Sequence, residues 1–191
     1  KSAVANPPSI GYNKPIAKIH VQKEYIMWYA ILGAVLLAGD QILKYWVVTH
    51  LAVGESAPFL PGFMQLTRLH NYGAAWSSLS GRTVLLVVFT AVLLAAVALL
   101  LIKKVVRHWT GITACTLILS GGIGNIIDRI VHGYVVDMFD LQLFSYPVFN
   151  LADCCVVVGA ILGGIYYLFL YEKYDKKKKE PDHAHDPSDP S

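Results

Sequence analysis

Two aspartates, Asp137 and Asp153, flank the last membrane-length apolar stretch of this chain. Asp137 closes Gly133-Tyr134-Val135-Val136-Asp137. Asp153 closes Phe149-Asn150-Leu151-Ala152-Asp153 and is followed at once by the apolar run 154–170. A charged side chain at the centre of a membrane helix costs roughly 2.5–3.5 kcal/mol on insertion scales, so an ionisable group near hydrocarbon is a functional hypothesis by default. Two of them point to a shared chemical task.

Other polar residues gather beside them at helical spacing. Asp40 and Lys44 stand four apart, on one helix face, where a mutual charge pair is the first expectation. Asn125, Asp128 and Arg129 also share a face, and inside a membrane such a triplet has to line a protein interior or a wet cavity. Asp128 reads best as part of a helix-end network. Asn150 and Asp153 repeat the three-residue spacing, and Asp153 taken alone is a good helix-start acid. Asn71, followed by Tyr72 and Gly73, offers both a donor and an acceptor to a peptide backbone, or forms a turn.

No other chemistry is as coherent. Ser77, Ser78 and Ser80 lie near His70 without a nucleophile elbow, and no His-Glu-x-x-His pair occurs. His183 and His185 belong to a polar tail. Cys115, Cys154 and Cys155 sit in apolar runs without metal spacing and read as small buried hydrophobes.

These residues have to be positioned by membrane helices. The 191 residues are 55% hydrophobic and 15% charged, against about 25% charged in a soluble domain. Apolar segments at 25–48, 83–102, 109–130 and 149–170 each approach the roughly 20 residues that cross a bilayer as helix. Residues 1–24 form a polar tail with no helical period, 25–171 the membrane domain, and 172–191 a basic, disordered tail. Lys14, Lys18 and Lys23, then Lys103, Lys104 and Arg107, then Lys173 and the run from Lys176 to Lys179 mark three cytoplasmic segments. The loops 49–82 and 131–148 then face the other side. Phe63 to Leu69 alternates apolar and polar, as a half-buried strand or an irregular loop would. Tyr45, Trp46, Trp76, Tyr134 and Tyr146 suit an interfacial belt on that side.

Asp40-Gln41 with Lys44, Asn71-x-Gly73-Ala74-Ala75, Gly124-Asn125-x-x-Asp128-Arg129, Val135-Val136-Asp137 and Phe149-Asn150-x-Ala152-Asp153 occur in order. Together they resemble the bacterial lipoprotein signal peptidases (signal peptidase II), membrane aspartic peptidases. The resemblance implies a four-helix bundle with a small extracytoplasmic β-sheet and a short surface helix or lid, for which 63–71 and 138–146 are available. It implies that Asp137 and Asp153 are the catalytic pair. Periodicity alone would not choose Asp137 over Asp128 as the partner of Asp153. Asn71, Gly73, Asn125, Arg129, Asn150 and Ala152 would line the pocket, with Asp40, Lys44 and Asp128 in support. The implied partners are diacylglyceryl-modified prolipoproteins, membrane lipids and globomycin-type inhibitors, with cleavage before the lipidated cysteine. No metal, cofactor or nucleic acid is expected, and the protein would act as a monomer in the bacterial inner membrane, its site near the extracytoplasmic face. The competing readings are a small proton-coupled transporter and a non-enzymatic membrane assembly factor.

Overall fold

A computed structural model describes residues 14–73 and 82–176, with side chains from 26 onward. Four helices are long and apolar enough to cross a membrane, over Ile26–His50, Thr83–Ile102, Trp109–His132 and Leu151–Tyr174. In chain order the elements are α1 (Lys14–His50), β1 (Ser56–Leu60), β2 (Met64–Asn71), α2 (Thr83–Ile102), α3 (Trp109–His132), β3 (Val135–Leu141) and α4 (Leu151–Ile165). A π-helical stretch, Tyr166–Leu170, and a last turn, α5 (Tyr171–Tyr174), complete the fourth span.

Helix α3 is the centre of the bundle and touches each of the other three. Its sequence explains why. The buried positions are mostly small or polar, among them Gly111, Ala114, Ser120, Gly121, Gly122 and Gly124. Lipid tails are as apolar as leucine, so membrane helices gain by packing backbones closely over small residues. By contrast, α2 is apolar all round and buries only Leu86 and Leu94. It is a lipid-facing strut. The tightest approach falls at Gly121. A Cβ there would lie 2.3 Å from the backbone carbonyl oxygen of Ala152 on α4. Gly121→Ala should therefore push α3 and α4 apart, lowering stability by about 1–3 kcal/mol. Thermal unfolding checks this, with Gly164→Ala, which meets nothing within 4 Å, as the unaffected control.

The sheet sits at one end of the bundle in the order β1-β2-β3, antiparallel throughout. Gly133, at φ 82°, ends α3 in the left-handed conformation and turns the chain directly into β3. The sheet then packs on the last turns of α1, where Val47 and Leu51 meet Val136 and Met138. Arg68 on β2 fastens the same joint, donating to the backbone carbonyls of Val48 at 3.0 Å and Leu51 at 2.9 Å. Those are carbonyls of the kind a helix end leaves without partners.

Several expectations need correction. The helix α1 starts at Lys14, within the segment expected to be a polar tail. Pro15 lies in its first turn, where a missing N–H costs nothing. Among the described residues no helix covers the sheet end. Residues 138–141 complete β3, and 142–149 are irregular. Nor is the basic tail structureless from 172 onward. Glu172 to Tyr174 are helical, and Asp175 is buried, accepting from Tyr166 Oη at 2.5 Å and from the backbone N–H groups of Arg107 and His108 at 3.0 Å each. Burial raises this carboxyl, but these bonds and the Arg107 side chain outweigh it and hold Asp175 below the ordinary range. Residues 74–81 and 177–191, with the belt residue Trp76 and the serines and histidines set aside as chemistry (Ser77, Ser78, Ser80, His183 and His185), lie outside the described residues.

Candidate functional site

Among the described residues, the sheet end holds every buried charged or amide side chain except Asp175. Asp137 lies in β3, 1% exposed. Strand pairing sets Asn71 opposite Val135, so Asn71 is the diagonal neighbour of Asp137 on the same face. Its Nδ2 donates to Asp137 Oδ2 at 2.9 Å. The chain then folds back so that Phe149 pairs with Phe139. That pairing delivers Asn150, at the start of α4, to the other carboxylate oxygen, Nδ2 to Oδ1 at 2.7 Å.

Asp153 is held by the start of its own helix. Asn150 Oδ1 accepts from the Asp153 N–H at 2.8 Å, and Asp153 Oδ2 accepts from the Asn150 N–H at 3.3 Å. This reciprocal pair is a capping box, which satisfies two backbone donors that helix geometry leaves open. The helix-start role expected of Asp153 is real, and it coexists with a second contact. Asn125 Nδ2, from α3, donates to Asp153 Oδ1 at 2.8 Å. Asn150 also reaches Asn125 Oδ1 at 3.3 Å. A continuous ring of amides thus runs between the two carboxylates.

Beneath that ring lies a buried ion cluster. Lys44 Nζ sits 2.8 Å from Asp40 Oδ2 and 3.0 Å from Asp128 Oδ2. The charge pair expected of Asp40 and Lys44 is present, and Asp128 joins it. Each acid also holds backbone. Asp40 Oδ1 accepts from the Ala152 N–H at 2.9 Å, capping α4 from a different helix. Asp128 Oδ2 accepts from the Val136 N–H at 3.1 Å, pinning β3. Gln41, which no spacing argument singled out, donates to Asp40 Oδ2 at 3.2 Å and to Asp128 Oδ1 at 3.1 Å. Its one signal was its place between Asp40 and Lys44. Arg129 donates to the carbonyls of Gly73 at 2.8 Å and Asn125 at 3.3 Å. Gly73 N–H in turn donates to Asn71 Oδ1 at 2.9 Å.

Every residue singled out for the site in the sequence therefore falls in this one cluster. A further acid of β3, Asp140, is half-buried and accepts from Gln65 Nε2 at 2.7 Å and Thr67 Oγ1 at 3.2 Å. The chemistry available is that of an acid pair, one member buried and the other half-buried. Burial, and then the charge of nearby Asp153, push the Asp137 carboxyl up to about 7, against the pull of Asn71, Asn150 and Lys44. Such a group can both hold and release a proton near neutral pH.

The chain matches the family model described as signal peptidase (SPase) II over residues 32–169. It belongs to the signal peptidase II family. Among the curated members it is similar to, the lipoprotein signal peptidase of Enterococcus faecalis is 41% identical over 151 residues, covering 79% of this chain and 93% of that one. That of Lactiplantibacillus plantarum is 40% identical over 136 residues, 71% and 91% of the two chains. The fold agrees as well. A solved bacterial membrane enzyme, determined by the in meso method, superposes with a TM-score of 0.71 at 33% identity over 82% of this chain and 96% of its own. A second such structure gives a TM-score of 0.70 at 33% identity, over 76% and 95%. As a signal peptidase II family member with four apolar helices, the protein is a multi-pass membrane peptidase.

Proposed function

We propose that this chain is an aspartic endopeptidase that removes the signal peptide from diacylglyceryl-modified prolipoproteins, with Asp137 and Asp153 as the catalytic pair. One observation carries the reading. Two carboxylates from different elements, Asp137 buried and Asp153 half-buried, are held by one ring of amide donors at one end of the bundle.

Two close carboxylates do not both ionise cheaply, so the pair holds one proton near neutral pH. The ionised member takes a proton from a bound water, and that water attacks the scissile carbonyl carbon. The protonated member gives its proton to the developing oxyanion. Collapse of the tetrahedral intermediate then breaks the C–N bond, and the departing amine takes up a proton from the pair. No acyl-enzyme forms. Asn71, Gly73, Asn125, Arg129, Asn150 and Ala152 border the place where the peptide would lie, and Asp40, Lys44 and Asp128 hold that border together.

The lipid on the substrate cysteine gives this location its sense. Acyl chains buried in the leaflet contribute about 0.8 kcal/mol per methylene to docking. They hold the scissile bond near headgroup depth, where water arrives. The extracytoplasmic face of the inner membrane is the face this requires. A proton-coupled transporter would need polar side chains through the bundle. Among the described residues, mid-bundle Thr116 and Ser120 instead donate to carbonyls of their own helix, Ile112 and Leu117.

The test is cleavage of a lipid-modified precursor peptide by the protein in lipid, with and without globomycin. Cleavage before the lipidated cysteine, blocked by globomycin, is the expected result. A folded protein that leaves the peptide intact overturns the reading. The pH profile adds a second check. Because Asp137 releases its proton near pH 7, kcat/KM should fall at higher pH. Asn71 donates to Asp137 and so favours its charged form. Asn71→Ala should therefore move the alkaline limb upward, and a limb that stays or moves down counts against the assignment.

A further inference from the structure

The asparagines around the aspartate pair raise a question of direction. An amide side chain can turn either its oxygen or its NH2 toward a partner, and in a buried network the neighbours decide which. For Asn71 the Gly73 N–H decides, because it can only donate and it claims Oδ1 at 2.9 Å. For Asn150 the Asp153 N–H does the same at 2.8 Å. At Asn125 the oxygen takes two side-chain donors, Asn150 Nδ2 at 3.3 Å and, closer and charged, Lys44 Nζ at 3.1 Å. An ammonium has three donors and no acceptor, and its other two partners here are Asp40 at 2.8 Å and Asp128 at 3.0 Å. Three donors meet three acceptors, so the amine has no slack with which to turn.

We infer that Lys44 is a positioning residue for the aspartate pair: as the closer and charged donor to Asn125 Oδ1, it acts with Asn150 to turn Asn125 Nδ2 toward Asp153. The two acids beside Lys44 are thus more than a helix-packing charge cluster. They orient a cation that helps to set the polarity of the amide ring. This role rests on the reading of Asp137 and Asp153 as the catalytic pair. If Asn125 turned over, its oxygen would face Asp153, and that contact is a hydrogen bond only while the carboxyl keeps a proton. The pair would then hold its proton to higher pH and enter the reactive, singly protonated state less readily.

The experiment must separate this polarity from the bare charge of Lys44. In Lys44→Met/Asp128→Asn one positive and one negative charge are removed together, so the cluster keeps its net charge. Its reference is Lys44→Gln/Asp128→Asn, which carries the same charge and regains an N–H donor at this position. Against that reference the Met variant should move the alkaline limb of kcat/KM upward by about one pH unit. Its kcat should fall roughly tenfold or more with KM little changed. The Gln reference should itself keep its limb near that of the parent protein, whose cluster has the same net charge. With Asn125→Ala added, Met and Gln should become indistinguishable, since the amide they act through is gone.

A Met variant whose limb stays with the reference, or a shift that persists after Asn125→Ala, overturns the inference. Thermal unfolding of each variant shows that folded protein is being compared, and the Gln variant read against its Asn125→Ala partner carries the test if the Met variant does not fold. Asp153→Asn assayed alongside keeps the two readings apart. Turnover by that variant would overturn the aspartate pair itself, whereas its inactivity beside an unmoved limb overturns only the role of Lys44.

Discussion

Asp137→Asn and Asp153→Asn should each abolish cleavage of a lipid-modified peptide, with kcat reduced on the order of 10^4-fold. Neither replacement changes side-chain volume, so both proteins should remain folded and inserted. The partners show what each variant keeps. Both Asp137 oxygens accept from amide NH2 groups, of Asn71 and Asn150. An asparagine at 137 can satisfy only one of them with its oxygen. The remaining unpaired donor costs about 1–3 kcal/mol, a loss visible in thermal unfolding but far too small to explain inactivity. The capping box gives Asp153→Asn a way to keep its bond to the Asn150 N–H. Its new NH2 then meets Asn125 Nδ2, which donates to Asp153 Oδ1 in the parent protein. Measured turnover by either variant near the parent rate would remove that residue from the chemistry.

Lys44→Met should produce the largest loss of stability, about 3–5 kcal/mol, the usual cost of breaking a buried ion pair by removing one partner. Asp40 and Asp128 are each 2% exposed, and no other cation bonds either of them among the described residues. Losing Lys44 leaves two buried charges facing one another. The loss should reach the site, because Asp40 caps α4 at Ala152 and Asp128 pins β3 at Val136. Lys44→Met/Asp128→Asn should recover part of the stability, since it removes one of the two stranded charges. Thermal unfolding of the three proteins in the same lipid decides it. A double variant less stable than Lys44→Met would show that the cost lies elsewhere.

The cluster also explains why so many polar residues can be buried in so apolar a chain. Among the described residues no buried side-chain nitrogen or oxygen lacks a hydrogen-bond partner. A polar network inside a membrane is tolerable only in that condition, because an unsatisfied group there has no water to turn to. The arrangement that makes the bundle end stable is thus the same one that aims donors at the aspartate pair.

Composition and periodicity alone determined the membrane class, the four spans and the faces shared by Asp40 with Lys44 and by Asn125 with Asp128 and Arg129. Each depends only on local spacing along a helix or on the cost of charge in hydrocarbon. The motif order added the family. What local spacing could not supply were the partnerships across elements. Asn71 and Asp137 stand 66 positions apart, and Asp40 and Ala152 stand 112 apart. Such contacts are decided by how α3 packs over its glycines and by the register of β2 on β3. Residues 135–141 gave no clear strand signal because Val135, Val136, Asp137 and Met138 are all buried, which erases the alternation of a half-exposed strand. Asp175 was invisible for a similar reason. Beside a lysine run it looks solvated, and only the return of the fourth span to Arg107 and His108 buries it. The sequence thus supplied the inventory of acids and amides. Tertiary packing alone decided which end of each amide faces which acid, because donors and acceptors from five different elements have to be satisfied at once.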